Sequence, residues 1–280
     1  MLGGALAKVI SDHVPNVQVT AELTAASVDN LKFLRAGQVD LGLAIGPSLA
    51  DAYHGSGAFR EFGRVPVRTL AMLYTQPMHL VTLAHDIARV ADLRGRVVST
   101  SNPGSGTEGI ALRMLEAAGL DPDRDLTRER LGPAQAIDAL KDGKVEAIFF
   151  SSGVPSPPIQ ELATGFGAEM RLVPSDDLLP VLQHRYGAEQ FPLSIIRARS
   201  YPGQDGDVPT VGCATLLVVD EKMSETLAYE ITRAVLEHTA ELAAIHPVAK
   251  TFTPERAAAG SPVPFHPGAI RYYRERGALE

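Results

Sequence analysis

The segment 96–120 constrains the fold of this chain more than any other, because an apolar strand leads through a small-residue loop into a helix. The strand ends near Val98, and the turn at 102–104 contains Asn, Pro and Gly. Ser105 or Thr107 can then cap a helix whose apolar side chains recur at helical spacing. The segment therefore predicts a strand–loop–helix unit.

A loop of this kind leaves backbone N–H groups unpaired beside the positive end of the helix dipole. Such a loop suits an anion, and the alternative is a tight turn that binds nothing. No Gly-Lys-Ser/Thr follows the glycines, as a P-loop requires, and the full dinucleotide fingerprint is missing. The pattern therefore favours a carboxylate over a nucleotide.

The rest of the chain alternates strands and helices, which predicts an α/β fold with mostly parallel sheets. A polar loop is expected after Gly46-Pro47, and one long helix is expected at 224–245. The predicted helices are 2–10, 28–36, the one between the cap at 105 or 107 and Gly119, 133–141, one that starts at 159–164, 177–186 and 224–245. The predicted strands are 17–22, 39–45, 97–100, 125–129, 145–150, 170–173, 195–199 and 211–219, and two apolar segments are predicted at 67–74 and 79–83.

This order predicts two α/β lobes, one formed by 1–75 with 212–280 and the other by 76–211. The final long helix has to return to the first lobe, so two crossing strands would form a hinge. Three polar turns follow predicted strands, and ligands bind at the carboxyl ends of parallel strands. We therefore expect these turns, at 24–27, 101–107 and 151–156, to converge on a cleft between the lobes.

Composition excludes several other classes of protein. The net charge of −7 over 280 residues comes from no charged block, so no nucleic-acid partner is expected. No apolar run reaches the roughly 18–20 residues of a membrane span. The single cysteine, Cys213, excludes an internal disulfide. Neither metal-ligand spacing nor a cofactor motif nor a nucleophile elbow occurs, so we expect no metal, no cofactor and no catalytic residue.

Several short motifs, in their order and spacing, resemble the TAXI family of solute receptors for TRAP transporters, which look like type II periplasmic binding proteins. The resemblance runs nearly end to end. It implies a two-lobed, non-enzymatic receptor that closes on glutamate or a related dicarboxylate and delivers it to membrane permease subunits. The motifs are Leu2-Gly-Gly-Ala-Leu-Ala-Lys8, Ser27-Val-Asp-Asn-Leu31, Pro103-Gly-Ser-Gly-Thr107, Leu115-Glu-Ala-Ala-Gly-Leu120, Gly153-Val-Pro155, Ile159-Gln-Glu-Leu162, Val208-Pro-Thr-Val-Gly212 and His266-Pro-Gly-Ala-Ile-Arg-Tyr-Tyr273.

The chain departs from this family at its beginning. Family members start with a secretory signal, a first strand and a Gly-rich loop that touches the ligand, whereas this chain begins after that loop. We therefore expect 1–280 to be a truncated product of a periplasmic precursor, and a genuine start would make the protein cytoplasmic. In addition, Ala25-Ala26 replaces a pair of glycines and Ile45-Gly46-Pro47 replaces a polar segment. These departures bear on ligand identity and binding competence rather than on the fold.

Ser105, Gly106 and Thr107 are the first choice as ligand contacts, because they offer hydroxyls and helix-start N–H groups to a carboxylate. Each of the other candidates has a structural alternative. The turn at 152–156 can be a rigid Pro-rich turn, and a lone histidine such as His79 is more often structural than a ligand contact. The full set of candidates is Thr24, Ser27, Asn30, Tyr74, Gln76, His79, Ser105, Gly106, Thr107, Ser152, Gly153, Ser156, Thr210 and Gly212.

Two other functions remain open from the sequence. An enzyme could use the same cleft with Asp29, His79 or Glu108 as acid or base. A ligand-sensing domain detached from a regulator could share the fold. A catalyst should show a titratable pair within hydrogen-bond reach, whereas a receptor needs only donors. A receptor should also become more compact with its ligand, which small-angle scattering measures.

Overall fold

The computed structural model describes residues 2–24, 26–167 and 169–280 of the chain. Its helices and strands alternate along most of the sequence. In chain order they are α1 (Leu2–His13), α2 (Ser27–Arg35), β1 (Leu41–Ile45), α3 (Gly46–His54), β2 (Val67–Thr82), β3 (Val97–Ser99), α4 (Gly106–Ala117), β4 (Thr127–Glu129), α5 (Pro133–Lys141), β5 (Ala147–Ser151), α6 (Pro157–Phe166), β6 (Arg171–Leu172), α7 (Leu179–Tyr186), β7 (Leu193–Ile196), β8 (Val208–Asp220), α8 (Glu225–Glu237), α9 (Thr239–Ile245), α10 (Pro254–Ala257) and α11 (Pro267–Glu275).

The chain divides into two compact units, the first comprising Met1–Tyr74 with Ala214–Glu280 and the second Thr75–Cys213. It passes from one unit to the other within β2 and within β8. Both strands are long, with 16 and 13 residues, so each contributes residues to both units.

The first unit has two apolar clusters. In one of them α1 packs with α8 and α11, where Ile10, Ile231 and Tyr272 are buried. The hydroxyl of the buried Tyr273 donates to the carbonyl oxygen of Leu70 over 2.7 Å, which satisfies a polar atom inside the cluster. The other cluster joins α2 and α3 to β8. Strand β1 pairs antiparallel with β8 from Leu41↔Val219 to Ile45↔Thr215.

The second unit contains a sheet in the order β2–β5–β3–β4. The inner strand β3 is parallel to both of its neighbours, β4 and β5. The two strands that continue into the first unit pair antiparallel, β2 with β5 and β6, and β8 with β7. Helices α5 and α6 bury Ile137, Ile159 and Leu162 against Ile148 of β5. The predicted α/β class is confirmed, with the parallel ladders at β3.

The predicted strand at 17–22 is wrong, because no residue of that range belongs to a strand. The alternation that predicted it arises from Val17 and Val19, which pack partly buried against the α1 cluster. The N–H of Val19 donates to the hydroxyl oxygen of Ser11 over 2.8 Å instead of entering a ladder. The burial of alternate residues here arises because the segment packs against the α1 cluster, and not because it belongs to a sheet.

The predicted polar loop after Gly46-Pro47 is also wrong, since these residues begin α3. Proline is favoured in the first turn of a helix because its missing N–H would be unpaired there in any case. The two apolar segments predicted on either side of Pro77 are one strand, β2. The β2–β5 ladder begins at Met78, so Pro77 lies just before the residues whose N–H groups that ladder uses.

The single helix predicted for 224–245 is two helices, α8 and α9, separated at His238. The backbone of His238 has φ −108° and ψ 34°, which lies outside the helical region. Neither glycine nor proline lies at the break between α8 and α9, so the break could not be predicted from these helix-breaking residues. Among the residues that the structure describes, no helix is both long enough and apolar enough to cross a membrane.

Candidate ligand-binding site

Two adjacent parallel strands of the second unit end at the same edge and are each followed by a polar loop and a helix. Strand β3 leads to α4, and β5 leads to α6. The two strands are in register at Ser99↔Ile148. Carboxyl ends of parallel strands are where α/β proteins place their ligands. The start of α4 directs N–H groups outward at this edge, whereas α6 begins with Pro157 and Pro158, which have no N–H.

The start of α4 has two backbone donors to offer. Ser105 is the N-cap, and its hydroxyl oxygen accepts from the N–H of Glu108 over 3.1 Å. Within the described ranges, the N–H groups of Gly106 and Thr107 have no hydrogen-bond partner. Ser105 therefore caps the helix, as one of the two predicted options, and the next two N–H groups are left for a ligand.

A third backbone donor of the same loop, the Gly104 N–H, is already bonded to the side chain of Glu108. Its side chain is 9% exposed, and one carboxylate oxygen accepts from the N–H of Gly104 over 2.7 Å. The other oxygen accepts from Arg130 Nε over 2.7 Å, and the Arg128 guanidinium lies 3.9 Å away. The loop thus holds a carboxylate of its own, already neutralised by arginine. Sequence reasoning considered Glu108 only as an acid or base, although the Ser-x-x-Glu capping pattern was visible.

Three hydroxyls beside these strand ends are buried without a hydrogen-bond partner: Ser99 Oγ, Thr100 Oγ1 and Ser156 Oγ. Their residues are at most 1% exposed. A buried hydroxyl without a partner costs about 1–3 kcal/mol, so three of them at one edge require an explanation. Ser99 and Thr100 were missed from the sequence, where they appeared only as the end of a strand.

Some polar groups of the loop after β5 already form hydrogen bonds within the protein. The hydroxyl of Ser152 donates to the carbonyl oxygen of Gly153 over 3.1 Å, and space is open around Gly153. Ser156 is the N-cap residue of α6, but its side chain makes no capping bond. Its N–H donates to the hydroxyl oxygen of Tyr201 over 2.9 Å. The Ser156 hydroxyl is therefore a buried polar group of this loop without a hydrogen-bond partner.

His79 is enclosed by a chain of hydrogen bonds that continues from Ser156. The Phe150 carbonyl, 3.2 Å from His79 Nδ1, can only accept, so the ring proton is on Nδ1. The Tyr201 hydroxyl donates to His79 Nε2 over 2.9 Å. Burial lowers the pKa of His79 to about 4, and burial raises the pKa of Tyr201 to about 12. With both nitrogens bonded in the neutral ring, His79 positions the Ser156 loop through Tyr201.

Gln76, Thr210 and Gly212 also lie in the second unit. The carbonyl oxygen of Gln76 is 3.8 Å from the buried thiol of Cys213. The Thr210 hydroxyl donates to the Met78 carbonyl over 2.5 Å and lies 2.8 Å from Ser175 Oγ. The first of these bonds joins Thr210 of β8 to Met78 of β2.

Gly212 allows close packing of strands. A Cβ at this position would lie 2.9 Å from the Pro192 carbonyl oxygen and 2.9 Å from side-chain carbons of Ser194 and Thr75. The N–H of Gly212 donates to Pro192 O over 2.7 Å. A side chain at this position would therefore clash with the neighbouring segments.

The remaining candidates belong to the first unit. Thr24 donates to the Asn30 side-chain oxygen over 2.5 Å, and Asn30 Nδ2 donates to the Leu43 carbonyl over 2.8 Å. Ser27 is the first residue of α2, and its hydroxyl accepts from the Ile45 N–H over 3.2 Å. Ala26, and not Ser27, is the N-cap residue of this helix. Tyr74 is partly buried against the α1 cluster.

The model of the NMT1-like family matches residues 1–277. The chain belongs to the NMT1-like family. Its fold is similar to that of the periplasmic aliphatic sulphonate binding protein SsuA from Escherichia coli, with 17% identity over 98% of this chain and 79% of SsuA and a TM-score of 0.50.

Two further solved structures have the same fold. The alkanesulfonate-binding protein SsuA from Xanthomonas axonopodis pv. citri, bound to MOPS, has 18% identity over 99% of this chain and 87% of that one, with a TM-score of 0.52. XAC2383 from Xanthomonas citri, bound to ATP, has 13% identity over 100% of this chain and 95% of XAC2383, with a TM-score of 0.57. This NMT1-like chain therefore has the two-lobed α/β fold of periplasmic binding proteins.

A cavity of about 550 Å³ lies at the opposite end of α4 in this NMT1-like protein, beside Leu112 and Glu116. Arg128 and Arg185 also line it. None of the predicted contact residues lines this cavity, so it is separate from the edge formed by β3 and β5.

The N-cap of α4 gives a prediction about stability. Replacing Ser105 by alanine removes the acceptor of the Glu108 N–H, and we expect the free energy of unfolding to fall by about 1 kcal/mol. Urea denaturation of Ser105→Ala measures this loss. Thr253→Ala is the variant for comparison, because it removes the same kind of cap from a helix of only four residues, α10. A Ser105→Ala variant as stable as the wild type would show that the cap contributes nothing.

Proposed function

We propose that this NMT1-like protein is a solute receptor that binds a small carboxylate at the carboxyl ends of β3 and β5. The observation that supports this most is the set of donors at one edge of one unit. Ser99, Thr100 and Ser156 hold buried hydroxyls without partners, and the N–H groups of Gly106 and Thr107 are unpaired in the described chain. A carboxylate oxygen is an acceptor only, and it matches a set of donors.

The donors favour an anion over a neutral solute. Hydrogen bonds to a charged acceptor contribute about 1.5–3 kcal/mol each, roughly twice as much as neutral ones. The positive end of the α4 dipole adds a smaller favourable contribution. Because Arg130 already neutralises Glu108, the Glu108 carboxylate repels an incoming anion only weakly. The site is therefore suited to the carboxylate of glutamate or of a related dicarboxylic acid.

The titratable groups near this edge support a receptor over an enzyme. His79 is buried with both ring nitrogens bonded, and Glu108 is bound to Arg130. Neither group has the freedom to take a proton from a ligand and return it. An acid–base enzyme would need a side chain other than these two.

The proposed permease partner and the proposed periplasmic location rest on the resemblance to the TAXI family. The motifs shared with the TAXI family support a receptor that delivers its ligand to the permease subunits of a TRAP-type transporter in the periplasm. The fold shared with the sulphonate-binding SsuA proteins supports solute binding and leaves the transporter type open. A ligand-sensing role is the alternative, and it would require a regulatory partner instead of a permease.

Mass spectrometry of the solute released from the purified, denatured protein tests the ligand class directly. We expect a small carboxylic acid at about one molecule per chain. Calorimetry should then show binding of glutarate or L-glutamate and no binding of glutaramide, which has the same length without charge. Tighter binding of an alkanesulfonate than of any carboxylate, or turnover of the added acid, would contradict the proposal.

A further inference from the structure

Two histidines and a glutamate from opposite ends of the chain meet in the first unit. His13 is the last residue of α1, His238 separates α8 from α9, and Glu241 lies in the first turn of α9. His13 Nε2 lies 3.0 and 3.1 Å from the two carboxylate oxygens of Glu241. His238 Nδ1 lies 3.1 Å from the nearer of them. All three potential ligand atoms fall within 4.8 Å of one another.

We propose that His13, His238 and Glu241 bind a divalent transition-metal ion of the Zn²⁺ type. Two imidazole nitrogens and one carboxylate oxygen are a donor set that zinc accepts, with water in the fourth position. Mg²⁺ and Ca²⁺ select sites made of oxygen atoms, so two imidazoles disfavour them. In the sequence only His238 and Glu241 lie close together, three residues apart, and His13 joins them only through folding.

The distances fit a tetrahedral ion after a small adjustment. Ligand atoms at zinc bond lengths lie about 3.3 Å apart along a tetrahedron edge, close to the 3.0–3.1 Å between each histidine nitrogen and Glu241. The two imidazoles are stacked, with ring centroids 3.4 Å apart and planes 10° from parallel. Since the lone pair of a ring nitrogen lies in the ring plane, the rings must tilt apart to share an ion. Their side chains are 28% and 33% exposed, which leaves them room to do so.

The neighbouring charges partly cancel. Lys8 bonds to Asp12 over 2.5 Å, one turn before His13 in the same helix. Lys8 also acts electrostatically on Glu241, and Asp12 acts on His13. An arriving cation therefore meets one repelling and one attracting side chain besides its ligands.

Bound metal would tie the end of α1 to the junction of α8 and α9. Any ion that binds only the folded chain raises its stability in proportion to the logarithm of the ion concentration over Kd. Because His13 is distant in sequence from His238 and Glu241, the unfolded chain offers no comparable three-ligand site. The ion would therefore stabilise the first unit and leave the solute edge of the second unit unchanged.

Calorimetry with ZnCl2 on the full chain, free of any histidine tag, tests the site. We expect one ion per chain, a Kd in the micromolar range, and no heat with MgCl2 or CaCl2. Co²⁺ should give the intense visible absorption of a four-coordinate ion. Glu241→Gln and His13→Gln should each weaken Zn²⁺ binding about tenfold or more. His184→Gln, which alters an exposed histidine of the second unit, should bind like the wild type.

Circular dichroism of the metal-free variants separates a lost ligand from a lost fold. A folded Glu241→Gln chain that binds Zn²⁺ as tightly as the wild type would overturn the proposal, and so would a wild-type chain that binds none. Binding of solute by the same variants is a separate measurement. The metal site can therefore fail while the receptor proposal stands, and the reverse also holds.

Discussion

Between pH 7 and pH 4 the wild-type chain is expected to lose about 3 kcal/mol more unfolding free energy than His79→Gln. In the folded protein, burial lowers the pKa of His79 from its ordinary value near 6.5 to about 4. The unfolded chain therefore takes up a proton near pH 6.5, whereas the folded chain resists it until pH 4. This contribution to stability is complete above pH 6.5, about 2 kcal/mol is lost by pH 5, and the loss reaches about 3 kcal/mol at pH 4.

The physical cause of this effect is the closed set of hydrogen bonds around the ring. Nδ1–H donates to the Phe150 carbonyl, and Nε2 accepts from the Tyr201 hydroxyl. Protonating Nε2 would change it from an acceptor into a donor that faces a hydroxyl already donating to it, inside a site without water contact. Tyr201 would have to reverse its proton, and it would then still accept from the Ser156 N–H. Acid should consequently loosen the Ser156 loop before the whole chain unfolds.

Urea denaturation at half-unit steps from pH 7 to pH 4 measures the loss. The relevant quantity is the difference in slope between the two proteins, because groups other than His79 titrate equally in both. His184→Gln is the control for a histidine on the surface, and it should keep the wild-type slope. If His79→Gln also keeps the wild-type slope, the histidine is protonated in the folded state and the neutral assignment is wrong.

A second large effect is expected for ligand affinity in Thr107→Val. Valine keeps the shape of threonine and removes its hydroxyl, while the Thr107 N–H and the Ser105 cap remain. If Thr107 contacts the carboxylate, one hydrogen bond to a charged group is lost. The expected cost is about 1.5–3 kcal/mol, or roughly a 10- to 150-fold rise in Kd.

Calorimetry with the identified solute measures this rise in Kd. Stability should change little, because Ser105 and not Thr107 caps α4. Thr164→Val on α6 is the matched control, since its hydroxyl donates within its own helix to the Gln160 carbonyl over 2.8 Å. Unchanged affinity in a folded Thr107→Val chain would remove this hydroxyl from the proposed contacts. Ser99→Ala and Ser156→Ala would then test the buried hydroxyls of the same edge.

Helices with strong local signals could be predicted closely from the sequence. Helix α5 has the predicted bounds, because Pro133 suits a first turn and apolar residues follow at helical spacing. Helix α4 follows from the same spacing and from Ser105 as its cap. The break at His238 could not be predicted, since no residue there disfavours helix by itself. Helix α3 was missed because Gly46-Pro47 is equally typical of a turn and of a helix start.

The loops that form the candidate site could be predicted from the sequence, whereas the hydrogen bonds of their residues could not. The sequence indicated that polar loops follow β3 and β5, because apolar strands end there in small polar residues. It could not show that Ser99 and Thr100 are buried without partners, nor that Glu108 takes the Gly104 N–H. Whether a hydroxyl is available depends on which atoms from distant segments reach it.

The sequence by itself determined the α/β class, the succession of most strands and helices, and the loop that starts α4, because spacing and capping act within a few residues. Only the tertiary structure decided the role of His79, which depends on Tyr201 far along the chain. It also decided the meeting of His13 with Glu241 across nearly the whole chain. Local patterns encode which backbone shapes are favourable. Hydrogen-bond partners and burial are decided by which distant segments pack together, and neither can be read from spacing.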